Sequence, residues 1–318
     1  MTYDSQIDRA DASALMPEDV AKDIIQGVTH ASYILAMANR LPDMPRKTRR
    51  FPVLSVLPTA YFVNGDTGLK KTTEVSWANK YITAEEIAVI VPVPNVVLDD
   101  AGYDIWGEVR PHIETAFGKL IDETILYGGM VGYAKPSNDW PDGLVTASVA
   151  GGLCAALANY ADLYDATLGE QGTFGKVEAA GFSVTGNIAA PTMKAKLRGA
   201  RDADGGPIFV RNAQGNYELD GSTLVFPDTG CINANDSLLV SGDFRQLVFA
   251  VRQDITYTIA TSGVITDGSN QIVYNLFQQD MTAMKVVMRM GWQLPNPPNW
   301  IKPSMGDASR YPFTTLLP

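Results

Sequence analysis

A chain of 318 residues, 46% hydrophobic and 19% charged, is long enough for two domains or one elaborated one, and its composition excludes wholesale disorder and a collagen-like repeat. Its 25 lysines and arginines against 35 aspartates and glutamates leave a formal charge of −10, so nucleic acid cannot be wrapped by the surface as a whole and any contact must be local. Two cysteines, Cys154 and Cys231, without CxxC or CxxH context build no disulfide framework and read as thiols of a reducing compartment.

Residues 1–9 are acidic and lack an apolar stretch, so a secretory signal is not expected. Residues 1–50 read as an arm with some helix: Pro17, Glu18 and Asp19 form a helix opening, and Val20, Ile24, Ile25 and Val28 recur at helical spacing before Pro42 and Pro45. Arg46, Lys47, Arg49 and Arg50 then form a basic cluster on an acidic chain. It reads either as a solvated loop or as a docking patch for phosphate or for an acidic surface on another subunit.

From Phe51 the pattern becomes β-like, with a hairpin predicted at Asn64, Gly65 and Asp66, because Asn-Gly suits a turn whose central residues need positive φ. Lys70 and Lys71 read as edge-strand gatekeepers or as contacts to a neighbouring chain, and Trp77 follows. A two-stranded ribbon with so little apolar surface cannot stand alone in water, and no nearby segment offers it a partner.

Residues 82–98 are apolar and β-branched, but Pro92 and Pro94 confine them to a sheet edge or to a strand that ends early. The clearest helix is predicted over 103–127, where Ile105, Trp106, Val109, Ile113, Phe117, Leu120, Ile121 and Ile125 fall at three- and four-residue steps. Pro111 bends it or sets its first turn, and Gly128-Gly129 ends it. Past Gly132 the composition shifts to Gly, Asn, Ala and Asp, a domain boundary. The uncharged run 143–161 is too polar at Thr146, Ser148, Gly151, Gly152 and Asn159 to cross a bilayer and reads as a buried amphipathic helix, with helical signal running on to Leu168. A strand at 182–184, a helix at 190–197 and a turn at 202–206 come next. Strands are predicted at 224–226, 238–240, 247–251, 255–259 and 285–292, with 261–270 a loop. Helices and strands mix without βαβ regularity, which favours an α+β fold.

Chemistry finds little support. There is no phosphate-binding glycine loop. His30 and His112 lack partners at ligand spacing and read as structural, and Asp202-Ala203-Asp204-Gly205 lacks the later acidic ligand of a calcium loop. The sequon Asn235-Asp236-Ser237 has no meaning in a cytoplasm. The adjacent carboxylates Asp99 and Asp100 are the one enzymatic candidate, but neighbours on a chain rarely face one substrate together and no base or nucleophile accompanies them. No catalytic, cofactor or metal site is expected. Trp140, Trp300 and Tyr311 in loops, with the hairpin and the arm, suggest surface committed to partners.

The order of these pieces is similar to that of one family. The hairpin at 64–68, the passage 84–93 into 98–101, and the long helix come first. Lys196-Leu197-Arg198 with Asp202-Ala203-Asp204-Gly205, Ser241-Gly242-Asp243-Phe244-Arg245, and the run 281–292 follow. Over residues 51–300 the sequence resembles the major capsid proteins of tailed bacteriophages, the Hong Kong 97-like fold. The resemblance implies an N-terminal arm at 1–50 and an extended loop at 51–83. It implies a peripheral domain at 84–131 and 250–318 with a spine helix at 103–127, and an axial domain at 132–249. It implies pentamers and hexamers that tile an icosahedral shell, with portal, scaffolding or decoration proteins as further partners, weak contact with packaged double-stranded DNA, and no membrane. The orphan ribbon then lies across another subunit, and Arg46, Arg49, Arg50, Asn64, Gly65, Asp66, Lys70, Lys71 and Trp77 become candidate inter-subunit contacts. Some members bond a hairpin lysine covalently to a neighbour's asparagine. Lys70 or Lys71 would supply the amine, but no asparagine or activating glutamate is identified, and crosslinking is not expected. The chain also lacks the long charged helical prefix that some members use as a built-in scaffold, so a separate scaffolding protein or the arm itself is expected to serve. The rival within the fold is an encapsulin-type cargo shell; the rival outside it is a soluble carboxylate-dependent enzyme.

Overall fold

The computed structural model describes residues 32–63, 70–100, 104–129, 135–201, 206, 208–209, 215, 217–303 and 310–318. The helix expected at residues 17–28, His30, the turn at Asn64, Gly65 and Asp66, and the turn at 202–205 lie outside them.

The described chain opens with α1 (Tyr33–Met37), β1 (Asn39–Arg40), β2 (Thr48–Val56), β3 (Ser76–Thr83), β4 (Glu85–Pro94), α2 (Asn95–Asp100) and α3 (Ile105–Tyr127). Next come α4 (Leu144–Ala150), β5 (Cys154–Ala156), α5 (Leu163–Leu168), α6 (Thr173–Ala179), β6 (Gly186–Ala189), α7 (Met193–Gly199), β7 (Glu218–Leu219), β8 (Ser222–Val225) and β9 (Leu239–Gly242). The chain closes with β10 (Val248–Ala260), β11 (Val264–Thr266), β12 (Ile272–Asn275), β13 (Met281–Gln293) and β14 (Phe313–Leu317).

The long helix forms where the apolar spacing places it. Asp104 caps it by accepting from the Trp106 amide at 3.0 Å, so Pro111 lies inside the helix and not in its first turn. Proline has no N–H, and the bond to the carbonyl four residues back is forgone there. Gly128 ends the helix in the left-handed region at φ 84°. Gly143 starts α4 against it: a Cβ on Gly143 would stand 2.2 Å from the Tyr127 carbonyl carbon, so the two backbones meet only because glycine occupies the site.

Two sheets flank one core. The first has strand order β1-β10-β13-β4. Its β13 alternates so that Met284, Val286, Met288, Met290 and Trp292 are buried, and these pack against Ile113, Phe117, Ile121 and Ile125 of α3. Each such side chain contributes about 1.5–3 kcal/mol on burial. β4 sits at the edge, as its prolines require; Pro92 and Pro94 stand opposite Ala283 and Met281. The second sheet has order β5-β14-β9-β6-β8-β7. Its alternation divides two cores: Ile188, Val240 and Phe313 join the α3 core, while Ala189, Leu239 and Leu316 face Met193 and Leu197 of α7.

Several elements differ from the sequence reading. Residues 143–161 are not one helix: α4 stops at Gly151, Gly152 turns at φ 69°, and Cys154–Ala156 becomes a strand. No helix of the described residues is long and apolar enough to cross a membrane. The strands expected at 247–251 and 255–259 are one strand, β10, in which register shifts around Gln253 absorb the polar interruption. The loop expected at 261–270 contains the start of a small hairpin, β11 with β12. The short strand expected at 182–184 forms a few residues later as β6. The strand β14, grouped by sequence with the first unit through 250–318, hydrogen-bonds to β5 and β9 in the second sheet. Trp140, expected in an exposed loop, is buried with its ring edge-on to Trp292 at 6.4 Å, and Tyr311 is half-buried; Trp300 is exposed.

Candidate interaction surface

The strands β2 and β3 form a two-stranded sheet of their own. Its root is fixed to the body. Met44, Ile82 and Ala84 cluster with Val248 and Ala250, and the Gln293 amide donates to the Tyr81 carbonyl at 3.0 Å. Gly291 of β13 lets the ribbon in: a Cβ there would lie 2.4 Å from the Thr83 carbonyl oxygen.

Antiparallel register puts directly opposed residues on one face. Arg49 opposes Ile82, Phe51 opposes Lys80, and Val53 opposes Ala78, all half-buried or buried. The other face pairs Arg50 with Tyr81, Pro52 with Asn79, and Leu54 with Trp77. Trp77 is 67% exposed and Tyr81 51%. The ladder stops at Val56 and Ser76, short of the strands expected beside the Asn-Gly pair. Pro58 has no N–H to give to a ladder, and the polar run Lys70 to Glu74 offers no apolar face. Contact between the two segments continues through side chains: the Thr59 amide donates to Thr73 Oγ1 at 3.0 Å, the Tyr61 hydroxyl donates to the Lys71 carbonyl, and the Lys71 ammonium lies 5.8 Å from the Tyr61 ring centre. Phe62 is wholly exposed, and Val56, Val63 and Val75 on the same two segments are exposed as well.

The basic residues divide. Arg46, Arg50, Lys70 and Lys71 are exposed and make no ion pair among the described residues. Arg49 is half-buried and donates to the Pro42 carbonyl at 2.6 Å, and Lys47 pairs with Glu85 at 3.5 Å. Tyr81, with Val56, Phe62 and Val75, belongs to this surface and was missed by sequence; the four-residue step from Trp77 to Tyr81, two strand periods on one face, was the available signal. A second open apolar group, Ile259, Val264, Ile272 and Phe277, lies around the β11–β12 hairpin and was also missed.

The enzymatic candidate gains nothing. Asp99 and Asp100 are exposed at the end of α2, and His112 is exposed on α3. Cys154 is half-buried, and burial together with the nearby Asp122 carboxylate pushes the Cys231 thiol up to about 12. A groove of about 560 Å³ lined by Tyr160, Asp162, Tyr164, Lys196 and Arg201 contains neither Asp99 nor Asp100, and no cysteine or histidine. No cluster of metal-ligating side chains occurs among the described residues.

Known proteins match the chain along most of its length. Residues 12–303 match the model of the phage capsid family. The major capsid protein of Staphylococcus phage 80alpha is 27% identical over 278 residues, which cover 84% of this chain and 78% of that one. A structure from Microbacterium phage Oxtober96 superposes with a TM-score of 0.76 at 31% identity, covering 99% of this chain and 100% of its own. One from Mycobacterium phage Cain does so with a TM-score of 0.76 at 27% identity, covering 99% of each chain.

Proposed function

Because the chain belongs to the phage capsid family and is a phage major capsid protein, a structural component of the virion shell with an α+β Hong Kong 97-like fold, we propose that it closes pentamers and hexamers of itself around the double-stranded DNA genome of a tailed phage. The observation that supports the ribbon as the main adhesive part is its isolation: a two-stranded sheet presenting Trp77, Tyr81 and Phe62 to solvent leaves apolar area that only a second copy covers. In this reading residues 1–50 are the arm and 51–83 the extended loop. Residues 84–131 with the β10–β13 region form the peripheral domain around α3, and 132–249 the axial domain, to which β14 is joined by its hydrogen bonds. Arg46, Arg50, Lys70, Lys71 and Trp77 face the neighbouring subunit, and Asn64, Gly65 and Asp66 are candidate contacts with them; Arg49 holds the loop's root instead. A portal, scaffolding or decoration proteins, and weak non-specific contact with DNA complete the partners, and assembly takes place in the bacterial cytoplasm.

Deleting residues 63–75 tests the reading. The ladder from Thr48 to Val56 with Ser76 to Thr83 survives the cut, so the expected product is a folded subunit that forms no shells. Normal particles from that variant would remove the ribbon from the assembly.

A further inference from the structure

Asp122 stands in the second half of α3 with 0% of its surface exposed, among the core residues Ile121, Ile125 and Leu126. No cationic side chain is bonded to it among the described residues. Its partners are the start of α1: Oδ1 accepts from Ser32 Oγ at 2.5 Å and from the Ile34 amide at 3.2 Å, and Oδ2 accepts from the Tyr33 amide at 3.1 Å. Ser32 Oγ in turn accepts from the Leu35 amide at 3.1 Å. The first N–H groups of a helix have no partner of their own, and here one carboxylate from another element supplies it. Ile34 and Leu35 are buried in the core beside it, and Asn39 and Arg40 then pair with β10, so the start of the described chain is anchored at this point.

We propose that Asp122 is the positioning residue of the junction at the start of α1: by gripping Ser32, Tyr33 and Ile34 it fixes how the chain enters the core there, and its ionisation makes that grip depend on pH. The role of a fixed junction in assembly rests on the capsid reading; the grip itself belongs to a single subunit.

The surrounding groups set the direction. On α3, Glu123 is nearly buried and pairs with Lys119 at 3.7 Å. On α1, the Tyr33 hydroxyl donates to Asp228 at 2.6 Å, and the buried, neutral Cys231 thiol lies near enough for the Asp122 charge to act on it. Burial pushes the Asp122 carboxyl up to about 6, outweighing the three hydrogen bonds that lower it, with Glu123 adding a smaller upward push. When the junction opens, Asp122 meets water and regains an ordinary value near 4. The closed junction therefore holds a proton more tightly than the open one, so acid tightens the grip and a rise in pH through about 6 loosens it. From pH 5 to pH 8 the open fraction rises about tenfold.

Hydrogen–deuterium exchange of the 33–38 segment in the soluble full-length chain reads this directly, once the intrinsic pH dependence of exchange is removed. Protection about tenfold lower at pH 8 than at pH 5 is expected in the wild type, and none of that difference in Asp122→Asn, which keeps one oxygen acceptor but cannot ionise. Ser32→Ala should lower protection at both pH values and widen the difference between them, because it removes one of the hydrogen bonds that hold the Asp122 carboxyl down. Equal protection at the two pH values in the wild type, or the same pH dependence in Asp122→Asn, overturns the proposal. If Asp122→Asn does not fold, the wild-type and Ser32→Ala profiles decide it. A chain that shows this pH dependence yet never forms shells counts against the capsid reading and leaves the grip standing.

Discussion

Trp77 and Ile125 are both large and apolar, and the structure gives them opposite duties. Ile125 is fully buried on the inner stripe of α3, where truncation removes contacts and leaves a cavity; Ile125→Ala should cost the isolated subunit about 2–5 kcal/mol. Trp77 and Tyr81 share the open face of the ribbon, so Trp77→Ala with Tyr81→Ala should change subunit stability by about 0.5 kcal/mol or less each while lowering the yield of particles. Urea unfolding of the subunit and particle counts by sedimentation separate the two effects. A large loss of subunit stability in the ribbon variant would place those rings in the subunit's own core and contradict their assignment to the neighbour. Gly143 makes a third kind of demand, since its value lies in what it lacks: no side chain fits between α3 and α4.

At the scale of elements, charge and periodicity act separately. Arg46 and Arg50 leave the root of the ribbon exposed and without ion pairs among the described residues, on a chain that is acidic elsewhere. Reversing both to glutamate should raise the salt sensitivity of assembly, because an attraction screened over about 10 Å at 0.1 M salt becomes a repulsion. Assembly unchanged at every salt concentration would leave those arginines as solubilising charge. The same elements explain what a sequence reader can see. The long helix was legible because eight apolar residues keep one period and a glycine stops it, and the β4 edge because Pro92 and Pro94 cannot serve a central strand. The stretch 143–161 misled because a lack of charge looks the same in a helix as in a strand; only the left-handed turn at Gly152, a tertiary outcome, divides it. β14 carries no local signal of its sheet, since its partners β5 and β9 are distant in sequence. Of the candidate surface, the basic residues and Trp77 could be picked by type and spacing. Arg49 could not be sorted from Arg50 until strand alternation turned one inward and the other out. Asp122 was hidden for the same reason: an aspartate in an apolar stripe reads as a flaw until the donors of Ser32, Tyr33 and Ile34 are brought to it.

For the whole molecule, the β2–β3 ribbon and the open apolar group around the β11–β12 hairpin carry exposed apolar surface outside the two larger sheets. Shells built this way draw stability from many modest contacts repeated by symmetry and from closure, so single contacts are individually weak and collectively decisive. In the proposed shell, a net charge of −10 would let packaged DNA slide along the inner wall without sticking. The isolated subunit keeps the Trp77 and Phe62 rings in water, and in the proposed assembly covering them would be favourable. The most direct test of this account is electron microscopy of the purified full-length protein, alone and with its phage's scaffolding protein co-expressed. Closed shells or rings of five and six subunits are the predicted result, whereas a uniformly monomeric or dimeric protein under both conditions would contradict it.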